Sequence, residues 1–165
     1  MNDYTIGSIS SGTMREEDLI PCFLDEINIT PDNETSIASI RERIDFAEDE
    51  DNSYEYYGTD EANFDLHELF ELLEEQAPPY FYFGSHPGDG ADYGFWLTED
   101  VSQEVKDSGG LVVSDLSEVT PELIEENTPS DNGIEEVLHI NDHGNASLYS
   151  YNVKTEEFTE IWSIV

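Results

Sequence analysis

Residues 60–97 read DEANFDLHELFELLEEQAPPYFYFGSHPGDGADYGFWL, and their periodicity changes at Pro78 and Pro79. Before the prolines, apolar groups recur every three or four positions. At about 100° per residue, Ala62, Leu66, Leu69, Phe70 and Leu73 form one arc, which predicts a helix over 60–76. Glu61, Asp65, Glu68, Glu71 and Glu75 are expected on the opposite side. Phe64 and Leu72 fall among those acids, so either a sheet covers that face or two apolar groups stand exposed in a carboxylate field. The paired prolines cannot continue the helix. Beyond them, aromatic and glycine-rich runs at 80–84 and 93–97 read as strands joined by a tight loop.

The same change of period extends in both directions. Upstream, Leu19, Ile20, Phe23, Leu24 and Ile27 predict a helix over 14–28, with Thr13 and Glu16 spaced as a capping box and Pro21 as a kink or a first turn. Ile37, Ile40, Ile44 and Ala47 predict a second helix over 34–47. The run 48–58, with Tyr54, Tyr56 and Tyr57 among acids, reads as a solvated loop. Downstream, strands are expected at 111–113, 136–141, 146–153 and 158–165, with turns at Asp142-His143-Gly144-Asn145 and at 152–156. Short helices fit 98–107 and 120–126, the second with Pro121 in its first turn. The fold class is therefore α+β: N-terminal helices packed on a C-terminal antiparallel sheet of about five strands, in one domain over 1–165.

Charge dominates the composition. The chain carries 40 Asp and Glu against 5 Lys and Arg in 165 residues, a formal net charge of -35. With 37% apolar and 12% aromatic residues it has the material for a core, unlike a disordered acidic tail. The acids divide as 22 in residues 1–77 and 18 in 78–165, so they coat the fold. Salt adaptation is one explanation, but 13 Ile against 6 Ala and 24 Glu against 16 Asp depart from the Ala-rich and Asp-rich composition expected of it. Cys22 is the single cysteine, so an internal disulfide is excluded. The N-terminus lacks a basic segment followed by an apolar one, and no 18-residue apolar run occurs. These features predict a soluble cytoplasmic protein that does not engage a membrane.

Enzyme chemistry finds little support in the residue patterns. No Lys or Arg lies between Arg43 and Lys106, and G-x-x-x-x-G-K is absent, so a nucleotide would meet carboxylates. A calcium-like loop starting at Asp49 has Tyr54 where glycine is needed and Asp60 where glutamate is needed. Cys22 has no neighbouring cation, and G-x-S-x-G is absent. The enzymatic alternative is a metal-dependent hydrolase at His86, Asp89 and Asp92, with His139 and His143 as further ligand types. The expectation is a chain that is not an enzyme and has no cofactor or metal.

Two blocks are distinctive. Ser11-Gly12-Thr13-Met14-Arg15 with Asp18-Leu19-Ile20-Pro21, and 82–96, YFGSHPGDGADYGFW, resemble small acidic proteins carried by phages and other mobile elements, a group mostly of unassigned function. The resemblance covers about 9–27 and 66–97, with 141–144 as a weaker third block. It implies a bacterial host setting and no catalytic residue. In charge and size the chain is also similar to phage and plasmid antirestriction proteins and some CRISPR inhibitors, which imitate DNA, although no motif is shared with them. A net charge of -35 matches on the order of 60 Å of duplex at one charge per about 1.7 Å.

The functional expectation is thus a decoy that occupies the DNA-binding groove of a basic host protein, such as a restriction enzyme or CRISPR effector, without binding nucleic acid itself. Its contact residues are expected to be Glu61, Asp65, Glu68, Glu71 and Glu75, with Tyr54, Tyr56 and Tyr57. A third reading is an acidic accessory protein whose charge serves solubility or high salt. The sequence leaves the oligomeric state open, a homodimer included.

Overall fold

A computed structural model describes residues 4–49, 55–127 and 133–164. The fold is mixed α+β, with five helices and seven strands in two sheets among the described residues. The chain divides into two compact units. Thr5–Trp96 forms one, and the described residues of Met1–Tyr4 and Leu97–Val165 form the other.

The first unit contains β1 (Gly7–Ser11), α1 (Glu16–Glu26), α2 (Glu34–Glu48), α3 (Asp60–Glu75), β2 (Phe81–His86) and β3 (Asp89–Leu97). Its sheet runs β1-β3-β2, so the β2–β3 hairpin is extended by a strand from the start of the chain. That strand pairs Ser10 with Tyr93 and Ser11 with Asp92, and the Gly12 amide donates to the Ala91 carbonyl at 2.9 Å. The two distinctive sequence blocks are therefore strand partners. Gly94 has a packing reason: a Cβ there would lie 2.1 Å from the Gly7 carbonyl oxygen.

Helix α1 runs through Pro21 and buries Leu19, Ile20, Phe23 and Leu24. The expected capping box does not form. Thr13 Oγ1 donates to Asp18 at 2.6 Å, while Glu16 accepts from the Gly58 amide at 2.8 Å and so holds the entry to α3 instead. Helix α3 packs on α1 and β2. Beneath it Phe83 meets Phe23, Phe70 and Phe95 with ring centroids 4.9–5.2 Å apart, the edge-on or tilted arrangements that aromatic quadrupoles favour.

The second unit contains α4 (Val101–Asp107), β4 (Leu111–Val113), a 3₁₀ turn (Leu116–Glu118), α5 (Pro121–Asn127), β5 (Ile134–Ile140), β6 (Ala146–Asn152) and β7 (Glu157–Ile164). Its sheet order is β4-β5-β6-β7. The strands expected from the sequence are present, but two features differ from one antiparallel sheet of about five. They divide between two sheets, and β4 runs parallel to β5. The cause of the second is the 3₁₀ turn and α5 between them, because a parallel pair requires a crossover rather than a hairpin. Val113, Val119, Ile124, Val137 and Tyr151 form the core beneath that crossover. The β5–β6 turn is held by Asn141 Oδ1, which accepts the His143 and Asn145 amides at 2.9 and 3.1 Å, with Gly144 at φ +84°.

Candidate functional site

Helix α3 presents two faces of different chemistry. Thr59 caps its start, accepting the Ala62 amide through its side chain, and Asp60 and Glu61 in the first turn suit the positive end of the helix dipole. Ala62, Asp65, Leu69 and Leu73 are buried. Asp60, Glu61, Phe64, Glu71 and Glu75 are exposed, and Glu68 is half-buried.

Asp65 departs from the expected carboxylate face. It is only 5% exposed, and it lies about 40° from Leu69 around the helix axis, which makes it an inner-face position. A buried carboxylate must be paired, and Arg43 of α2 supplies the pair. Arg43 Nε donates to Oδ2 at 2.8 Å and Nη2 to Oδ1 at 2.6 Å, a bidentate fork. Tyr56, 1% exposed, donates its hydroxyl to the same Oδ2 at 2.6 Å. Burial, then this hydrogen bond to a carboxylate, pushes the Tyr56 phenol well above its usual range. The Asp65 hydrogen bond likewise raises the Arg43 guanidinium.

Asp65 and Tyr56 therefore tie α2, α3 and the segment before α3 together, and they offer no surface to a partner. Tyr57 is half-buried with its ring 5.0 Å from that of Tyr56. Tyr54 lies outside the described residues. Of the expected acidic contacts, Glu61, Glu71 and Glu75 are outward, while Glu68 also accepts a hydrogen bond from Ser36 Oγ. The structure adds Asp60 to this stripe.

Five carboxylates thus lie along about 22 Å at 1.5 Å per residue. Glu74 is drawn away, accepting the Phe83 amide at 2.6 Å. His67, on the far rim, sits 3.5 Å from Glu71. Of the two apolar groups expected among the acids, Phe64 stands exposed, its side chain 74% accessible, whereas Leu72 is half-buried. Beside the stripe, Ser39, Glu42, Arg43, Phe46 and Glu61 line an open groove of about 430 Å³.

Among the described residues, the buried charged groups are Asp65 and Glu135. The glycine loop forms the exposed tip of the β2–β3 hairpin: His86 Nδ1 accepts the Gly88 amide at 3.0 Å and its ring stands edge-on to Trp96, while Asp89 accepts the Ala91 amide at 3.0 Å. Asp92 accepts from Ser8 Oγ on the neighbouring strand. Each group has a structural partner. Among the described residues, no three His, Cys, Asp or Glu side chains are placed to hold a metal ion.

The Cys22 thiol donates to the Ile9 carbonyl, and burial pushes it above its usual range, opposite to the needs of a nucleophile. Among the described residues no helix is long and apolar enough to cross a membrane. Comparison with protein-family models, curated proteins and solved structures finds no match for this chain.

Proposed function

We propose that this protein is a DNA-mimicking decoy that occupies the Lys- and Arg-lined groove of a host DNA-binding protein, of the kind found in restriction enzymes and CRISPR effectors. The observation that carries this reading is the α3 stripe. Asp60, Glu61, Glu68, Glu71 and Glu75 stand on one rigid helix whose inner face is locked by the Arg43–Asp65–Tyr56 network. Five charges over about 22 Å compare with the ~6 phosphates that one DNA strand presents over that length.

The mechanism is competitive occupation, and no bond is made or broken. The net charge steers the chain to a cationic groove and raises the association rate. Held carboxylates then replace phosphates with little ordering cost, and shape supplies specificity. A chain with 5 cations against 40 acids offers a nucleic acid no attraction of its own, so the decoy acts on the reader and not on the DNA.

The test is affinity capture from a bacterial lysate at ~0.15 M salt, followed by elution with duplex DNA. The captured protein should be a DNA-binding protein that duplex DNA displaces in proportion to its concentration. A partner that duplex DNA leaves in place, or direct sub-micromolar binding of the purified chain to DNA, overturns the reading.

A further inference from the structure

Phe64 is the anomaly of the acidic face. Phosphate mimicry accounts for carboxylates but not for an aromatic ring, and Phe is a poorer helix former than the Glu and Leu around it. On α3 the ring occupies the middle of the stripe. At about 100° per residue, Asp60, Glu61, Glu68, Glu71 and Glu75 all fall within about 60° of it. Asp60, Glu61, His67 and Glu68 are its neighbours one turn away, the spacing at which helical side chains meet, and Glu71 follows two turns on. Phe23, Phe70, Phe83 and Phe95 engage other rings, whereas Phe64 is 74% exposed.

An aromatic face ringed by carboxylates complements a cation that is planar and weakly hydrated. A guanidinium can lie on the ring while its N–H groups fork to the carboxylates around the rim. An ammonium is a compact, strongly hydrated point charge and gains less from the ring. Basic side chains of this chain engage the stripe from its flanks: Arg43 forks to Asp65 through both oxygens with its Nε 4.0 Å from Glu61, and His67 stands 3.5 Å from Glu71. A second copy of the chain, at net -35, is repelled over most approaches.

We propose that Phe64, with Glu61, Glu68 and Glu71, is an arginine receptor: the anchor of the partner contact, taking one arginine side chain of the cationic groove. This inference rests on the decoy reading and adds to it a preference for arginine over lysine that charge alone does not give.

The experiment uses the full chain and two synthetic twelve-residue peptides, alternating Arg-Ala and Lys-Ala, of equal charge. Binding is read by anisotropy of a labelled peptide and by the ring resonances of Phe64. The arginine peptide should bind tighter than the lysine peptide, and the part of that ratio due to the ring should be about two- to fivefold. Phe64→Ala and Phe64→Leu should both remove that part, Phe64→Tyr should keep it, and lysine-peptide binding should change little in all three. Because the side chain is exposed, these variants are expected to fold, which circular dichroism checks.

An unchanged ratio in Phe64→Ala, or a ratio that survives in Phe64→Leu, overturns the receptor while leaving the decoy intact. Failure of both peptides to bind overturns the two readings together. Sedimentation of the free chain as a dimer that Phe64→Ala dissociates would assign the ring to self-association and also overturn the receptor.

Discussion

The two units carry acid at almost the same density, 23 Asp and Glu in residues 5–96 and 16 in 97–164, about one residue in four in each. They differ in what holds the carboxylates. In the first unit a sixteen-residue helix, locked from below, sets a row of them around an exposed aromatic ring. In the second, the comparable group Glu118, Glu122, Glu125 and Glu126 stands on a three-residue 3₁₀ turn and a seven-residue helix. Charge density therefore says little about where a partner contact lies. The scaffold beneath the charge decides how much ordering entropy a contact must spend.

The strongest break in this comparison comes from inside α3. Asp65→Ala leaves Arg43 without its bidentate partner and removes the acceptor of Tyr56, so a cost of about 3–5 kcal/mol in folding stability is expected. Glu71→Gln, six residues further along the same helix, should cost less than about 0.5 kcal/mol. Urea unfolding of both variants measures the contrast. Similar small effects would mean that the inner face does not lock the helix, and the preorganisation argument would fail.

The next effect concerns the partner. Changing Glu61, Glu68, Glu71 and Glu75 to Gln keeps size and removes four charges, so folding should survive. Exposed ion pairs are worth about 0.5–1 kcal/mol each, so binding of the captured partner should fall by roughly 30- to 1000-fold. The salt dependence should also become shallower. Gln at Glu118, Glu122, Glu125 and Glu126 should cost less than tenfold. Equal losses would reduce the contact to diffuse charge, and no loss from the first set would remove α3 from it.

Much of this was legible in the sequence because it is local. Helix and strand positions follow from period, proline and turn residues, and most observed limits fall within two or three residues of the expected ones. What escaped is pairing. β1, GSISS, has no apolar alternation to mark it as a strand, and Gly94 opens the place beside it on β3. The split into two sheets and the parallel β4–β5 pair depend on which edge each connection reaches, which no local pattern encodes. At the site, the expected grouping of Asp65 with the outward acids conflicts with its angle, which places it near Leu69. The helical projection would have shown this, and Arg43, one of three cations in 5–96, was the available partner. Tyr56 looked like its neighbours in an acidic loop, since only the fold brings its hydroxyl to Asp65.

Tyr56 gives a smaller effect that sharpens the inner-face side of the comparison. Tyr56→Phe removes one hydrogen bond to a charged acceptor and should cost about 1.5–3 kcal/mol near neutral pH. Its phenol is raised above the unfolded value of about 10, so the neutral form is the one that folding favours. The associated stability is fully present below about pH 10 and is lost as pH climbs from there toward the folded value. Denaturation midpoints between pH 8 and 11 should fall less steeply at the alkaline end in Tyr56→Phe. Burial pushes Tyr57 and Tyr151 the same way, so some alkaline loss persists in the variant. An identical slope in both proteins would show that folding does not oppose ionisation of Tyr56.

The smallest effect tests whether the charge serves a partner at all. Both units carry the same acid density, so like-charge repulsion burdens both, and it is screened over about 10 Å at 0.1 M salt. The buried Ile, Leu and Phe side chains of α1, α2 and α3 and the valine-rich core under α5 supply burial that needs no salt. The chain should therefore be folded at ~0.15 M salt, with a gain of about 1 kcal/mol or less on raising salt to 0.5 M, read as a rise of a few degrees in Tm. Salt adaptation predicts the reverse ranking: a chain unfolded until molar salt is reached, with the largest gain above 1 M. That outcome would assign the carboxylates of both units to hydration and dissolve the distinction between the α3 stripe and the rest of the surface. Folding at low salt with a shallow rise instead leaves the exposed acids unexplained by stability, which is the condition under which a cationic partner is the reason for keeping them.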